Sequence, residues 1–314
     1  MGLEDWLVVA RKRKFSPNSM VQRLMLTYSR LSKHLYSTDT RFVYELIQNA
    51  EDNNYSIAAE RNDLPALTFS VSRERIVIDS NEDGFCEANV RAICRVGEST
   101  KANIKGYIGE KGIGFKSVFK VARKVHVQSG PYSFAFDYDQ EQPDSGLGMV
   151  TPLNEPHSEL PRGIRTRIVL YLQMSCDKEA LFREFGNLPD TLLLFLRKLK
   201  RLSLRIERPG NTVVEKAYEL TSTGNRACIK RTIGRESVDL NFWIARKTVS
   251  DLPEDEARKG TEGTERIKEA EVVLGFPLSE GDMPVVADQH VFAFLPLRKV
   301  GFKVSFILRF QNTS

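Results

Sequence analysis

Cysteine and histidine are scarce in this sequence, and neither forms a pattern that would bind a metal. The 314 residues contain four cysteines, none of them in a CxxC pair, and four histidines without zinc-ligand spacing. Zinc sites need several such ligands at short separations, so the common zinc modules are excluded. A low cysteine count in a chain of this length is typical of a reducing compartment, and we expect free thiols.

Long apolar runs are also absent. No stretch reaches the ~18 apolar residues that a membrane-spanning helix needs. In residues 1–14 acidic residues precede the short apolar run and basic residues follow it, which is the reverse of a secretory signal. These absences predict an intracellular protein, cytoplasmic or nuclear, with no membrane partner.

Neither sign of charge dominates the chain. Lys and Arg number 46 and Asp and Glu 41, which gives a net charge of +5. This mild excess is compatible with a phosphate or nucleic-acid partner but does not predict one. The length favours two domains, and the change of composition after Cys176 predicts a first domain over 1–175 and a second, β-rich region over 176–314. The last strand pattern has no terminator after it, so we expect a piece of a longer protein.

A polar face on a predicted helix over residues 41–53 is the first candidate for chemistry. Glu45, Asn49 and Asp52 are spaced by four and three residues, which places them on one side of the helix. An amide oxygen is a suitable Mg²⁺ ligand, and a carboxylate can activate a water for attack on phosphate. The alternative is a solvated polar face with no chemical role.

A glycine-rich segment is the second candidate. Residues 106–114 contain four glycines in nine positions, a new helix is predicted to start near Gly114, and Lys111 and Lys116 add charge. Glycines let backbone N–H groups approach phosphates closely. The segment is neither a Walker loop nor a Rossmann fingerprint, and a flexible surface loop is the alternative.

The third candidate is the end of a predicted strand over 75–79, where Asp79, Ser80 and Asn81 precede Gly84. Carboxylate and amide oxygens there can accept a hydrogen bond from the amino group of adenine. An Asx-rich turn without a ligand is the alternative.

The three candidates occur in an order that resembles the nucleotide pocket of gyrase, the ninety-kilodalton heat-shock chaperone, histidine kinases and MutL, known as the GHKL superfamily. Within it, the segments RFVYELIQNAEDN, NEDGF, CRVGESTK and GYIGEKGIGFKSVFKV look like the sacsin and plant No-vein-like group and its fungal relatives. The resemblance implies a Bergerat fold: an α+β protein in which an α/β sandwich, a mixed sheet with helices on one face, is followed by a smaller β-rich region.

The resemblance also implies roles for particular residues. Glu45 stands at the position of the catalytic base and Asn49 at that of the magnesium ligand. The other residues that it assigns to the nucleotide pocket are Asp52, Asp79, Asn81, Gly84, Ser99, Thr100, Lys101, Gly109, Lys111, Gly112, Ile113, Gly114, Phe115 and Thr166. The chain departs from the pattern at one point: counting back from Gly84, the adenine-reading acid is replaced by Ser80. Asp79, Ser80 and Asn81 therefore all stay open as readers of the base.

We thus expect a module that binds ATP or ADP with Mg²⁺, hydrolyses ATP slowly and closes residues 97–114 as a lid, inside a larger chaperone-like protein. A nucleotide-binding switch without hydrolysis is one alternative. A nucleic-acid-associated module like the MORC relatives, using the basic runs 11–14 and 197–201, is another and is not favoured. Partners are expected to be further domains or other proteins, and an ATP-dependent homodimer stays open.

Overall fold

The computed structural model describes residues 42–94, 114–138, 148–210, 212–250, 267–286, 290–293, 295–299 and 305–312, with the backbone alone at 249–250, 267–270 and 290–312. The chain divides into two compact units. The first unit consists of Met1–Ala102, Gly109–Gly186 and Leu204–Val214, and the second of Asn103–Ile108, Asn187–Ser203 and Glu215–Ser314. The predicted domain boundary after residue 175 stays a prediction.

Helices are few in the described residues. The α-helices are α1 (Phe42–Asp52), α2 (Ser56–Glu60), α3 (Glu87–Cys94) and α4 (Lys178–Gly186), and the longer 3-10 helices are η1 (Phe115–Lys120) and η2 (Leu192–Phe195). None of the described helices is long and apolar enough to cross a membrane.

Strands make up most of the described structure. They are β1 (Ala66–Val71), β2 (Arg75–Ser80), β3 (Ala122–Ser129), β4 (Tyr132–Asp137), β5 (Leu153–Asn154), β6 (Thr166–Leu172), β7 (Arg201–Arg208), β8 (Thr212–Thr223), β9 (Arg226–Ile233), β10 (Glu236–Ser250), β11 (Ile267–Leu278), β12 (His290–Ala293), β13 (Leu295–Lys299) and β14 (Ser305–Asn312). In the first unit the order is β7-β1-β2-β6-β3-β4-β5. In the second unit it is β8-β9-β10-β11-β14-β12-β13, where β12 and β14 are parallel.

The expected fold class is wrong. We expected an α/β sandwich with helices covering one face of a mixed sheet, but the described residues are mostly a large mixed β-sheet with few helices. One reason lies in the second unit, where β8, β10 and β11 are 12, 15 and 12 residues long. Another is that the leucine-rich run 177–200, whose composition favours one long helix, contains only the nine-residue α4 as α-helix. Helix α4 ends at Gly186. Pro189 then stands between α4 and η2, and a proline cannot continue a helix because it lacks a backbone N–H.

The stretch 251–270 is charged and has few apolar residues, which predicts a loop, and it is only partly described. Its last residues belong to β11, which begins at Ile267, while residues 251–266 lie outside the described part of the chain.

The sheet of the first unit has one strongly apolar face. Leu67, Phe69 and Val71 of β1 alternate with half-buried residues, and Ile76 and Ile78 of β2 continue the pattern. Alternation with period two is what a strand with one buried face requires. Aromatic contacts attach helical segments to this face, and the described ring pairs there include Phe69 with Phe185 and Phe119 with Phe136.

The opposite face of β3 and β4 is covered by the irregular segment 155–158. The Gln128 side chain makes three hydrogen bonds with Ser158, including one from Nε2 to the Ser158 carbonyl at 2.6 Å. The Lys124 ammonium pairs with Glu155 at 2.5 Å, and Ser133 donates to the Pro156 carbonyl at 3.2 Å. The segment is therefore held to the sheet by side chains, without forming a strand itself.

Candidate functional site

Helix α1 carries the first candidate residues. Phe42, Val43, Leu46 and Ile47 are buried, so they fix which side of α1 faces the interior. Glu45 and Asn49 are half-buried on a neighbouring side, one turn apart, and Asp52 at the end of the helix is buried. The structure thus places these three residues on α1 at the spacing that the sequence predicted.

The Glu45 carboxylate lies directly against Gly114. A Cβ atom added to Gly114 would collide with Oε2 of Glu45, so a side chain at position 114 would require the carboxylate to move away. Helix α1 and η1 pack together at this point. The structure therefore brings the carboxylate of the first motif to the last glycine of the second one.

Gly114 opens a short 3-10 helix, and Phe115 follows it half-buried. The Gly114 carbonyl accepts hydrogen bonds from the backbone N–H of Ser117 at 3.1 Å and from its hydroxyl at 2.6 Å. The helix expected to start here has only six residues. Such a short helix sums few aligned peptide dipoles, so its start would attract an anion less than the start of a longer α-helix.

Lys116, expected to add charge to the glycine-rich segment, points into the interior. It is buried, its ammonium donates to the Met149 carbonyl, and it lies 4.5 Å from the centre of the Phe136 ring. Burial lowers the pKa of Lys116 from 10.5 to about 8, while the nearby Cys94 thiol acts in the opposite direction. The lysine is therefore enclosed in the interior beside η1, where burial disfavours its charge, and is not placed to contact phosphate.

Asp79 is engaged on the other face of the sheet. Arg167, its register partner on β6, donates from Nε to Oδ1 and from Nη2 to Oδ2, both at 2.7 Å. Residues next to each other on a strand point to opposite faces, so Asp79 and Ser80 face different sides. The Asp79 carboxylate is committed to an ion pair, away from the side where Ser80 lies.

Asn81 holds a neighbouring loop. Its Nδ2 donates to the Leu64 carbonyl at 2.9 Å, and its Oδ1 accepts from the Ala66 N–H at 2.8 Å. Asn81 thus fixes the residues that lead into β1, and both ends of its amide are used.

Asp83 and Gly84 form the turn after β2. The Asp83 carboxylate accepts from the backbone N–H groups of Ser56 and Ile57 and from the Ser56 hydroxyl, which anchors the start of α2. Gly84 has a φ of +95°, a conformation that side chains disfavour. The turn thus requires its glycine for backbone geometry.

Ser80 belongs to a row of three hydroxyls at one end of the apolar face. In register across β2, β6 and β3 stand Ser80, Thr166 and Ser129, with relative exposures of 5%, 3% and 0%. We call these residues the hydroxyl row. The Ser129 and Thr166 hydroxyls are 2.5 Å apart, and the backbone N–H of Phe85 donates to Ser129 at 2.8 Å.

Tyr55 connects the hydroxyl row to α1. Its hydroxyl donates to the Ala50 carbonyl at 2.8 Å, and its oxygen lies 3.4 Å from Oγ of Ser80. Burial raises the pKa of Tyr55 above its ordinary value, so the phenol keeps its proton. The backbone N–H of Glu82 donates to Ser80 at 3.2 Å, so Ser80 has a fixed donor on one side.

Several predicted pocket residues cannot be placed. Ser99, Thr100, Lys101, Gly109, Lys111, Gly112 and Ile113 lie outside the described residues. Their roles, and lid closure over 97–114, stay predictions.

A magnesium ion would have one described protein ligand here, the Asn49 amide oxygen. No group of three or more His, Cys, Asp or Glu able to hold a metal occurs among the described side chains. Mg²⁺ commonly keeps waters and phosphate oxygens and takes few protein ligands, so a half-buried amide next to a carboxylate fits the ion.

Sequence reasoning missed the roles of Tyr55, Ser129 and buried Lys116. Tyr55 follows the end of α1, and Ser129 ends a strand that is distant in sequence, so neither belongs to a local motif. The sequence signal for the hydroxyl row was a polar residue at the end of each of these strand patterns. Only the pairing register of β2, β6 and β3 shows that these residues stand side by side.

Comparison with known proteins bears on the No-vein-like part of the resemblance. No protein-family model matches this chain. Over 296 residues the chain is 32% identical to Protein NO VEIN of Arabidopsis thaliana, and the similarity covers 87% of the chain but 10% of that protein. The similarity supports a place in the No-vein-like family for most of the chain.

Proposed function

We propose, taking the relationship to the No-vein-like family as a premise, that this chain binds ATP with Mg²⁺ and hydrolyses it slowly as a module of a longer protein. The observation that carries the proposal is the contact between the Glu45 carboxylate and Gly114. Two segments 69 residues apart (114 − 45), each a candidate for phosphate chemistry by itself, meet with no side chain between them.

Glu45 is suited to activate a water. It is half-buried, it projects from a helix whose other side is anchored by buried apolar residues, and it reaches the backbone of the glycine turn. A carboxylate on a packed helix, close to a glycine turn that could receive a terminal phosphate, can accept a proton from the attacking water.

Asn49 would hold the magnesium ion through its amide oxygen. The ion, when bound, neutralises the charge on the phosphates. One turn of α1 separates Asn49 from Glu45, so the ligand for the ion and the base for the water stand on one rigid element. The role of α1 is therefore to orient both groups.

Calorimetric titration of Mg-ATP into the wild-type chain and into Asn49→Ala tests the proposal. We expect saturable binding to the wild type and at least about tenfold weaker binding to the variant, as for loss of a metal ligand. Asn154→Ala, at an exposed asparagine of β5, is the matched control and is expected to bind like the wild type. Absence of Mg-ATP binding to the folded wild type would reject the proposal.

A nucleotide-binding switch without hydrolysis is the second candidate. The observation that favours it is the position of Ser80, which provides a hydroxyl where an acid would bind adenine more tightly, while Asp79 is held by Arg167. Binding without turnover would then change the affinity for a partner. Single-turnover hydrolysis by the wild type separates the two: conversion of bound ATP to ADP supports the ATPase, and intact ATP after many hours supports the switch.

A further inference from the structure

The sheet of the second unit carries a row of large side chains on its exposed face. Arg226 on β9, Trp243 on β10 and Phe276 on β11 stand in register. Register partners point to the same face of a sheet, so the three side chains lie next to one another. Trp243 and Phe276 are 43% and 37% exposed, whereas Phe242, the neighbour of Trp243 on β10, is buried on the opposite face. The two aromatic rings of the row therefore lie outside the core of this unit.

The chain that follows β11 extends the row by one residue. After a turn it runs back alongside the end of β11, where the Val285 N–H donates to the Pro277 carbonyl at 2.9 Å. In this antiparallel alignment Val286 comes opposite Phe276. Val286 is 76% exposed, so the apolar part of the row continues beyond the two aromatic rings.

An exposed ion pair borders the row. Nη1 of Arg226 lies 2.6 Å from Oδ1 of Asp282, and both side chains are more than half exposed. Asp282 belongs to the turn after β11, so the pair joins this turn to β9. We call Arg226, Trp243, Phe276, Asp282 and Val286 the aromatic patch. The patch contains one charge of each sign, and its formal charge is zero.

The residue types of the aromatic patch are typical of a surface that binds protein. Trp, Phe and Arg are enriched at such surfaces, and Trp and Arg account for many of the residues that dominate the binding energy. A strongly acidic or basic partner gains little from a patch whose two charges already neutralise each other. A surface that binds a copy of itself must carry both signs, because the same residues face each other across a two-fold axis. The aromatic patch meets this requirement.

We propose that the aromatic patch is the contact surface of a homodimer, in which two copies of this chain meet face to face about a two-fold axis beside Trp243. Arg226 of each copy then pairs with Asp282 of the other copy, so the two ion pairs within chains become two ion pairs between chains. The aromatic rings of both copies leave water together, which provides most of the favourable free energy. Because the patch lies in the second unit alone, the dimer is expected with and without Mg-ATP.

Sedimentation of the chain over a range of concentrations, without nucleotide, tests the dimer. The patch is small for a stable interface, so we expect a dissociation constant on the order of 10–100 μM. Trp243→Ala should weaken association by about tenfold or more, because a central aromatic residue is lost. Val238→Ala is the matched control, since Val238 is similarly exposed on the opposite face of the same strand and should not affect association.

Two results of this measurement would overturn the inference. One is a wild-type chain that stays monomeric at about ten times the upper end of the expected range. The other is a Trp243→Ala variant that associates as strongly as the wild type. Neither result bears on the proposed nucleotide binding, because no nucleotide is present.

Charge reversal distinguishes a second copy from any other occupant of the patch. Arg226→Asp and Asp282→Arg each place like charges opposite one another in a homodimer, so each variant alone should associate at least about tenfold more weakly. In an equal mixture the two variants should associate with each other, because every pair between copies again joins opposite charges. Within each variant chain the two charges still repel, so a pair that acts only inside one chain cannot produce this recovery.

The control for charge reversal is Arg91→Asp, which disrupts an exposed ion pair on α3 and should associate like the wild type. Recovery in the mixture of Arg226→Asp and Asp282→Arg would establish contact between two copies at these residues. A mixture that associates as weakly as its separate components would overturn the exchange of the ion pair and, with it, the second copy as the occupant of the patch.

Discussion

Asp79 and Arg167 form a two-point ion pair across β2 and β6, on the face of the sheet opposite Ser80. Each of the two bonds is 2.7 Å long, and both side chains are mostly shielded, with exposures of 14% and 25%. The pairing also raises the pKa of Arg167, because the carboxylate stabilises the charged guanidinium. The pair joins two neighbouring strands immediately beside the candidate site.

Replacement of this carboxylate is expected to change stability and to leave nucleotide binding unchanged. Asp79→Asn keeps the shape but leaves Arg167 without its charged partner, which should lower the free energy of unfolding by about 1–3 kcal/mol. Urea unfolding and titration with Mg-ATP measure the two effects. Loss of ATP binding at unchanged stability would show that Asp79 contacts the base and that the pair opens on binding.

Glu45→Gln separates binding from hydrolysis. The amide keeps the size of the side chain next to Gly114 but cannot take a proton from water, so Mg-ATP should still bind while hydrolysis falls by about 100-fold or more. Single-turnover conversion of ATP to ADP is the measurement. The matched control is Glu87→Gln, at an exposed glutamate of α3 paired with Arg91, which should hydrolyse ATP at the wild-type rate. Turnover by Glu45→Gln at the wild-type rate would remove Glu45 as the base.

Gly114→Ala tests the contact between α1 and the glycine turn. The new methyl group would overlap Oε2 of Glu45 and displace the carboxylate from the glycine turn, so the free energy of unfolding should fall by about 1 kcal/mol at most, while hydrolysis should be lost. Shortening the acid in a Gly114→Ala, Glu45→Asp double variant should recover part of the stability, because contacting residues are not additive. Gly186→Ala is the control, since an added Cβ there meets nothing within 4 Å. If the losses of unfolding free energy from the two substitutions simply added in the double variant, Glu45 and Gly114 would not be in contact.

Lys116 predicts a dependence of stability on pH. Because its folded pKa is lowered to about 8, the folded chain releases this proton between pH 8 and 10.5 while the unfolded chain keeps it. The unfolded state then binds more protons, so stability rises with pH across this window, by about 3 kcal/mol for this group.

Lys116→Met should remove that rise. For each protein, the rise is the unfolding free energy at pH 10 minus that at pH 7. Other groups that titrate in this window contribute equally to the wild type and the variant, so they cancel when the two rises are compared. Lys120→Met, at a half-buried lysine on the same 3-10 helix, should keep the wild-type slope. Equal slopes for the wild type and Lys116→Met would show that the ammonium is hydrated in the folded protein.

Local patterns predicted the elements of the candidate site well. The helix expected over 41–53 is described as α1 over Phe42–Asp52, and the strand expected over 75–79 is β2. Period and composition are properties of a single segment, so they can be read without the fold.

The roles of Asp79, Asn81 and Lys116 could not be predicted in this way. Asp79 is committed because Arg167 is its register partner on a strand 88 residues away. Asn81 is committed by backbone groups near β1, and Lys116 by a carbonyl at Met149. Polarity in the sequence shows that a residue needs a partner, but only tertiary structure decides whether that partner is a ligand or the protein itself. The overestimate of helix, at 177–200 above all, has the same origin: a leucine-rich run can be a buried turn as well as a helix.

The segment 155–158 has a practical consequence for labelling the protein. Its sequence, Glu-Pro-His-Ser, looks like an ordinary place to insert a fluorescent tag or a protease site. Because Gln128, Lys124 and Ser133 fasten it to the sheet, an insertion there would uncover one side of β3. A tag is better placed at the turn between β8 and β9 around Gly224, where the chain is exposed and the described glycine has open space around it.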